Sequence, residues 1–305
     1  MIPTHNCARY LREALAGVLA QDPGAERMQI EVVDDASTAD DPSAVVAELG
    51  AGRVGFFRQS TNVGHVRNFN TCLQRSRGHL VHLLHGDDAV LPGFYERMQR
   101  LFESCPEIGA AFCRYVAITE SGRRWGTSEL LQPNDGVLPN WLERIASGQL
   151  LQPPSMVVRR SVYEHLGGFD ARIRAYGEDW EMWVRIAAHF PVAYLTEPLA
   201  VYRVRDTSLS GRALRAGENG RDLRRVIAIN RELLPPAIAV RVSLRARRNF
   251  ADASLKRGHR FLGVGDRGAA LAQLREALRS YPSPVVLTRA MGFLLRWLWR
   301  AVVRR

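Results

Sequence analysis

Lysine is almost missing from this 305-residue chain: of 42 basic side chains, Lys256 is the only lysine. No Gly-rich, Lys-bearing segment opens the chain, which argues against a nucleotidyltransferase. Cysteine is scarce as well. Cys7, Cys72, Cys105 and Cys113 have neither paired nor metal-like spacing, so no disulfide framework or thiolate zinc site is expected, only free thiols in a reducing cytosol. Long apolar runs are also missing: none reaches the roughly 18 residues of a membrane-spanning helix. Met1-Ile2-Pro3-Thr4-His5-Asn6 has no basic start followed by an apolar core, so no signal peptide is expected. Repeats and low-complexity segments are absent from the sequence.

What is present is ordinary in amount and uneven in placement. Apolar residues make up 46% and charged residues 24%, as in a soluble globular protein. The length suits one large α/β domain, or a domain plus an appendage. The net charge of +11 divides sharply. Residues 1–202 hold 19 basic and 24 acidic side chains (−5), whereas residues 203–305 hold 23 and 7 (+16). A basic C-terminal third fits nucleic acid, an anionic membrane or a solvated helix face.

Apolar spacing predicts helices over 10–20, 42–50, 65–76, 94–104 and 179–189. Short apolar runs predict strands over 29–33, 54–58, 79–84, 109–117, 156–159 and 192–195. Residues 119–154 read as irregular, 167–168 as a Gly-Gly turn, and everything beyond about 206 as helical. Strands alternating with helices indicate parallel βαβ units, which bind ligands beyond the C-terminal ends of their strands.

Three acidic stretches fall at such ends or at a helix start. VVDDAST (32–38) closes a strand, and its acids could accept from a base or ribose while Ser37 and Thr38 cap a helix. HGDD (85–88) closes another. Two adjacent acids there are either a solvated turn or a seat for Mg²⁺ or Mn²⁺, which take carboxylate and phosphate oxygens. In YGEDWEMWVRIA (176–187), Glu178 and Asp179 open a helix. The helix dipole alone favours acids there; the functional reading makes one a general base walled by Trp180 and Trp183.

Together and in this order, the motifs resemble those of family 2 glycosyltransferases. IPTHN is similar to that family's Ile/Val-Pro-Thr-Tyr-Asn, DDAST to its nucleotide-contacting acids, and NVGHVRNFN (62–70) to its Asn-x-Gly…Asn segment. HGDD resembles its DxD region, GEDWEMWVRIA its Glu-Asp motif, and YRVRDTSLS (202–210) its closing Tyr-Arg-x-His-x-x-Ser-x-Ser. The likeness covers roughly residues 1–210.

The resemblance implies an α/β protein of the GT-A fold: Rossmann-like, with a mostly parallel sheet flanked by helices, here with an α-helical C-terminal extension. The expected domains are 1–205, with a nucleotide-binding half (1–90) and an acceptor half (91–205), and a basic helical region, 206–305. The implied activity is inverting transfer of a hexosyl or deoxyhexosyl group from a nucleotide-sugar donor to a glycan, lipid-linked or polysaccharide acceptor. A divalent cation would assist, and cell-envelope polysaccharide biosynthesis is the implied setting. Pro3, Thr4, Asp34 and Asp35 would hold the nucleoside, Asp35 at the base. Asn62, Arg67 and Asn70 would line the nucleotide or sugar pocket, Asn62 also shaping its own loop. Asp87 would touch ribose and sugar or assist the metal, Asp88 would bind Mg²⁺ or Mn²⁺, and Asp179 would be the base. Residues 119–154 and 152–170 would shape the acceptor pocket.

Three departures from the family pattern stand out. His85 replaces the first acid of the fuller motif and reads as a packed or hydrogen-bonding histidine rather than a ligand. Arg205 stands where many relatives carry histidine; it cannot ligate metal but could neutralise a diphosphate. Only Met1 and Ile2 precede Pro3, where the family has several apolar residues, so a start assigned too far downstream or a truncated chain is expected, with a less stable fold.

The last segment, 285–305, carries Arg289, Arg296, Arg300 and Arg304 at offsets 0, 7, 11 and 15, one narrow stripe at about 100° per residue. Phe293, Leu294, Leu295, Trp297, Leu298 and Trp299 cover much of the rest, a pattern that fits a helix lying in an anionic membrane interface. The alternative is a helix docked on its own domain or on a partner subunit. Residues 250–280 read as a helical hairpin, weakly similar to one tetratricopeptide-like unit. Nucleic acid is not expected, because the aromatics cluster on an apolar face instead of interleaving with the cations. A homodimer and a cytoplasmic location, peripheral on the inner face of the membrane, complete the expectations. The alternatives are a catalytically degenerate GT-A binding protein or a nucleotidyltransferase.

Overall fold

The computed structural model of the chain describes residues 1–303, and the side chains of all but 296 and 298–303. It divides into two compact units. The first comprises Met1–Trp141, Leu150–Ala171 and Arg185–Arg205; the second comprises Leu142–Gln149, Arg172–Val184 and the chain from Asp206 onward.

In chain order the elements are β1 (Ile2–Thr4), α1 (Ala8–Leu19), β2 (Glu31–Asp34), α2 (Pro42–Gly50), β3 (Gly55–Arg58), α3 (His65–Arg75), β4 (Leu80–His82), β5 (Ala89–Val90) and α4 (Phe94–Ser104). Then come β6 (Ala110–Thr119), β7 (Arg124–Thr127), β8 (Gly136–Val137), α5 (Trp141–Ala146), β9 (Met156–Arg159), α6 (Arg160–Leu166), α7 (Glu178–His189) and β10 (Val192–Val204). The last five are helices: α8 (Leu209–Ala216), α9 (Asn219–Leu233), α10 (Pro236–Gly263), α11 (Arg267–Ser280) and α12 (Pro284–Val303).

In the first unit β1, β2 and β3 are parallel, with Ile2 opposite Val32 and Val32 opposite Phe56. A second sheet runs β4-β9-β6-β10-β5, in which β10 and β6 are parallel and β9 is antiparallel to both neighbours. The backbone joins the two sheets: Leu84 N–H donates to Met1 O at 3.1 Å and Gly86 N–H to Pro3 O at 3.0 Å. The helices cover this layer because their apolar residues recur at helical spacing. On α1 these are Leu11, Ala14, Leu15 and Val18, all essentially buried. Asp40 accepts from Ala8 N–H at 2.7 Å, satisfying an amide at the start of α1. Beyond Met1 lies a cavity of about 560 Å³, lined among others by Ile30, Leu80, Tyr95 and Met98.

Several elements differ from the sequence expectation, among them α6, which was not expected. The strand expected at 192–195 continues to Val204, with register shifts on either side of Pro198. Proline cannot donate to the ladder, so the pattern breaks there although the strand resumes. The stretch expected to be irregular, 119–154, contains β7, β8 and α5, all too short to give a periodic signal.

The second unit is helical beyond residue 206, and α10, α11 and α12 share one core. Ala251, Leu255 and Phe261 pack with Ala270, Leu274, Ala277, Val286, Ala290 and Phe293. The hairpin expected over 250–280 corresponds to the end of α10 and to α11. Phe293, expected on an outward apolar face, is instead fully buried, and Arg289 pairs with Asp252 at 2.6 Å. The side chains of Arg296, Leu298, Trp299, Arg300 and Arg304 lie outside the described ones. Among the described residues no helix is long and apolar enough to cross a membrane.

Candidate functional site

The first acidic pair sits at the end of β2 and is fully engaged within the protein. Asp34 is buried and accepts from Ser37 Oγ at 2.5 Å and Arg58 Nε at 2.6 Å. Asp35 takes the Val63 and Gly64 amides on its two oxygens, at 2.7 and 3.0 Å. Thr4 O accepts from Asp35 N–H at 2.9 Å, which ties the end of β1 to that of β2. Asn62 Oδ1 accepts from Gly64 N–H at 3.1 Å, shaping its own loop. Asn6 and Ala36 both adopt positive φ here, at 49° and 53°. Non-glycine residues resist that conformation, and such strain gathers where loops are shaped for a ligand.

HGDD follows at the end of the 80–86 segment. A Cβ at Gly86 would stand 3.0 and 3.1 Å from Thr4 Oγ1 and Cys7 Sγ, so a side chain there would require those groups to shift by a few tenths of an ångström. Asp88 is 2% exposed. Its Oδ1 accepts from Arg203 N–H at 2.9 Å, and its buried Oδ2 has no hydrogen-bond partner. Burial first, and the adjacent Asp87 second, push its carboxyl well above the usual carboxylate range. Asp87 Oδ2 accepts from Arg205 Nη2 at 2.6 Å and Nε at 3.0 Å. The His85 ring stacks on Phe69, with centroids 4.7 Å apart. One ligand atom each from His85, Asp87 and Asp88 falls within 4.8 Å of the other two. Two carboxylates and an imidazole, one oxygen buried and unpartnered, suit a hard divalent cation that keeps other positions for phosphate oxygens.

The Glu-Asp motif belongs to the second unit. Gly177, at φ 92°, turns the chain into α7, and a Cβ there would meet Leu223 and Val226 at 3.4 and 3.5 Å. Asp222 Oδ2 accepts from the three preceding amides, those of Arg174, Ala175 and Tyr176, at 3.2, 2.7 and 3.3 Å. Asp179, 8% exposed, accepts from Trp180 N–H at 2.7 Å and from Gln149 Nε2 at 2.6 Å. Burial, then the neighbouring Glu178, push its carboxyl up to about 7. Trp180 donates Nε1–H to Ile145 O at 2.7 Å, fixing its ring beside this helix start.

The first unit thus brings Pro3, Thr4, Asp34 and Asp35 together at adjoining strand ends, and Asp87, Asp88 and Arg205 at the next. Arg67 is exposed on α3. Asn70 exchanges hydrogen bonds with the Phe169 backbone, at 2.9 and 2.7 Å, which holds the 168–169 turn. Sequence reasoning missed four supporting residues: Arg203, Gln149, Asp222, and buried Asn68, which donates to Val33 O at 2.9 Å. Arg203 and Asn68 lie within the quoted 202–210 and 62–70 segments, but their roles, like those of Gln149 and Asp222, depend on partners at least 30 residues away. Other reactive types are quiet. Burial pushes the Cys7 thiol up to about 12 and His82 down to about 3, so neither a thiolate nor an imidazolium forms near neutral pH.

Comparison with known proteins agrees with this geometry. An uncharacterized protein of Mycobacterium tuberculosis is 29% identical over 237 residues, 74% of this chain and 73% of the relative. A second uncharacterized protein of that species is 28% identical over 207 residues, and there the match spans only 56% of the relative. Among solved structures, Staphylococcus aureus TarS 1-349 in complex with UDP-GlcNAc superposes with a TM-score of 0.72 at 16% identity, over 97% of this chain and 88% of that one. The mannosyltransferase PcManGT from Pyrobaculum calidifontis, in complex with GDP-Man and Mn²⁺, gives 0.56 at 16%, over 98% and 86%. These likenesses establish the fold as GT-A. The family model for glycosyl transferase family 2 matches residues 1–167, the stretch that carries both strand-end acid pairs, and the chain belongs to that family.

Proposed function

We propose that the protein is an inverting glycosyltransferase that moves a sugar from a nucleotide-sugar donor to a glycan, lipid-linked or polysaccharide acceptor, with a divalent cation bound at His85, Asp87 and Asp88. Two observations carry this reading together: the ligand atoms of His85, Asp87 and Asp88 lie within 4.8 Å of one another, and Asp88 keeps a buried oxygen without a partner. A bound Mg²⁺ or Mn²⁺ would supply charge neutralisation for the departing diphosphate. Asp88 holds its place through Arg203 N–H, while Arg205 offers a planar fork to phosphate oxygens. Pro3, Thr4, Asp34 and Asp35 hold the nucleoside end, the two acids chiefly by fixing the Ser37 and 62–64 loops. Arg67 lines the sugar side; Asn62 and Asn70 shape the loops there.

Asp179 takes the proton from the acceptor hydroxyl as that oxygen attacks the anomeric carbon. The bond to the diphosphate breaks in the same displacement, so configuration inverts. A carboxyl held at about 7 is a stronger base than an ordinary aspartate and is still largely ionised just above neutrality. Cell-envelope polysaccharide is the proposed acceptor class, and the basic, partly apolar C-terminal unit the proposed membrane-facing element. The division into 1–205 and 206–305 is proposed as a functional one, donor chemistry in the first part and attachment in the second.

The test is release of nucleoside diphosphate from a donor panel with Mn²⁺. UDP-GlcNAc and GDP-mannose come first, because they are the ligands of the structural neighbours. Turnover with one donor, abolished by Asp88→Ala and by Asp179→Asn, is the expected result. A protein that binds and cleaves no donor would be a degenerate family member, and the proposal would fall.

A further inference from the structure

We propose that Arg205 is a resident counter-ion of the acidic pair, displaced from Asp87 jointly by a divalent cation and a diphosphate, so that cation and nucleotide binding are coupled through this one side chain. The inference rests on the metal-assisted reading above and adds a regulator to that site.

Asp87 and Asp88 are adjacent acids in the group whose ligand atoms lie within 4.8 Å of one another, and their carboxyl groups are treated differently. Asp88 Oδ2 is buried and bare. Asp87 Oδ2 already carries two guanidinium N–H groups, at 2.6 and 3.0 Å. Arg203, two residues earlier, does not substitute for Arg205. Its Nε donates to the Asp87 backbone carbonyl at 3.0 Å, and its other arm pairs with Glu13. Among the described residues Arg205 is therefore the cation seated on the Asp87 carboxylate. Its guanidinium carbon lies 4.9 Å from the Tyr10 ring centroid, as does that of Arg203, so the ring stays in contact with a cation when Arg205 turns to another partner. The side chain is 14% exposed and that of Asp87 21%, so the pair is reachable by an incoming ligand.

The consequence follows from charge. A divalent ion using Asp87 would sit beside a guanidinium, and at a few ångströms in a partly dehydrated site that repulsion opposes binding. A diphosphate reverses the balance, because it ligates the metal and gives Arg205 a bidentate partner of higher charge than a single carboxylate. Each ligand then raises the affinity of the other by the same factor. Arg205 thereby holds the empty site together and keeps free cations from occupying it before the donor arrives.

The test uses the full chain and measures Mn²⁺ binding from the free-ion signal in electron paramagnetic resonance, with no turnover required. Mn²⁺ is titrated alone, then with saturating UDP and with saturating GDP, correcting for Mn²⁺ bound by nucleotide in solution. In the wild type, one nucleotide should tighten Mn²⁺ binding about tenfold or more, within the usual 5–150-fold range of such couplings. Arg205→Met should bind Mn²⁺ alone about tenfold more tightly than the wild type, and its coupling should fall below about threefold. Arg205→Lys keeps the charge without the fork and should lie between; it also serves if the Met variant fails to fold. Equal or weaker Mn²⁺ binding in both variants, or unchanged coupling, overturns the role of Arg205 while leaving the metal site standing. A wild type that binds no Mn²⁺ with either nucleotide overturns the metal-assisted reading and this proposal together.

Discussion

The carboxyl of Asp179 is held close to the pH at which it changes charge, and this has opposite effects on chemistry and stability. As the proposed base it must be ionised, so kcat should rise with pH and level off above about 7. Folding runs the other way. The group binds its proton more tightly in the native state than in the unfolded chain, where the ordinary value is 3.8. Stability is therefore lost progressively as pH rises from about 4 to about 7, and the full penalty is present above that. Asp179→Asn should abolish transfer and yet raise Tm at pH 8 by a few degrees, about 2–4 °C per kcal/mol of penalty removed. Equal Tm values for wild type and variant at pH 8 would contradict the burial argument. Gln149→Ala removes the 2.6 Å donor to the carboxylate, so it should shift the kcat profile to higher pH and leave donor KM unchanged. The acids themselves were legible in the sequence because they are local, in HGDD and GED. Gln149 and Arg203 were not, because their partners are 30 and 115 residues away and are set by folding alone.

At the scale of elements, the approach to α7 is held from α9. One Asp222 oxygen takes three consecutive amides of the 174–176 turn, and Arg225 donates to Arg172 O at 2.7 Å. Asp222→Ala leaves those part-buried amides short of an acceptor, a cost of about 1 kcal/mol. The expected outcome is a Tm lowered by several degrees and kcat lowered at least about tenfold with donor KM little changed, since the proposed base moves and the proposed donor-binding loops do not. Unchanged kcat would separate the turn from catalysis. In the sequence Asp222 looks like a solvated acid on a basic helix, and nothing nearby marks it as an anchor. The parallel strands of the first unit were legible from their apolar runs. The continuation of β10 past Pro198 was not, because its pairing with β6 resumes only after a break that the tertiary ladder tolerates.

For the whole molecule, the open question of surface attachment changes form once α12 is seen in place. Val286, Ala290 and Phe293 are core, so deleting residues 285–305 would unfold part of the second unit rather than detach an anchor. Among the described residues of α12, Leu287, Met291, Leu294 and Leu295 are exposed apolar side chains on a neighbouring face, Met291 at 64% and Leu295 at 65%, and Val285 is exposed as well. Such a patch on a domain this basic fits an anionic lipid surface. Flotation with vesicles containing phosphatidylglycerol should carry the wild type upward. Leu287→Gln with Met291→Gln and Leu295→Gln should stay with the soluble fraction at unchanged Tm. Equal flotation of the two proteins would rule that patch out.

The sequence by itself determined the fold class, the family and the order of the acidic motifs, because these depend on local periodicity and on side chains adjacent in the chain. It also determined the charge asymmetry between the first two thirds of the chain and the last third. Only the tertiary structure decided which acids are engaged and which stay open. Asp34 and Asp35 are taken up by Ser37, Arg58 and the 63–64 amides, Asp87 is held by Arg205, and Asp88 alone keeps a buried oxygen bare. The physical reason is that hydrogen bonding and desolvation are settled by neighbours brought in from distant parts of the chain. Four aspartates that stand in two adjacent pairs in the sequence therefore end with different partners, and one of the four keeps an oxygen without any.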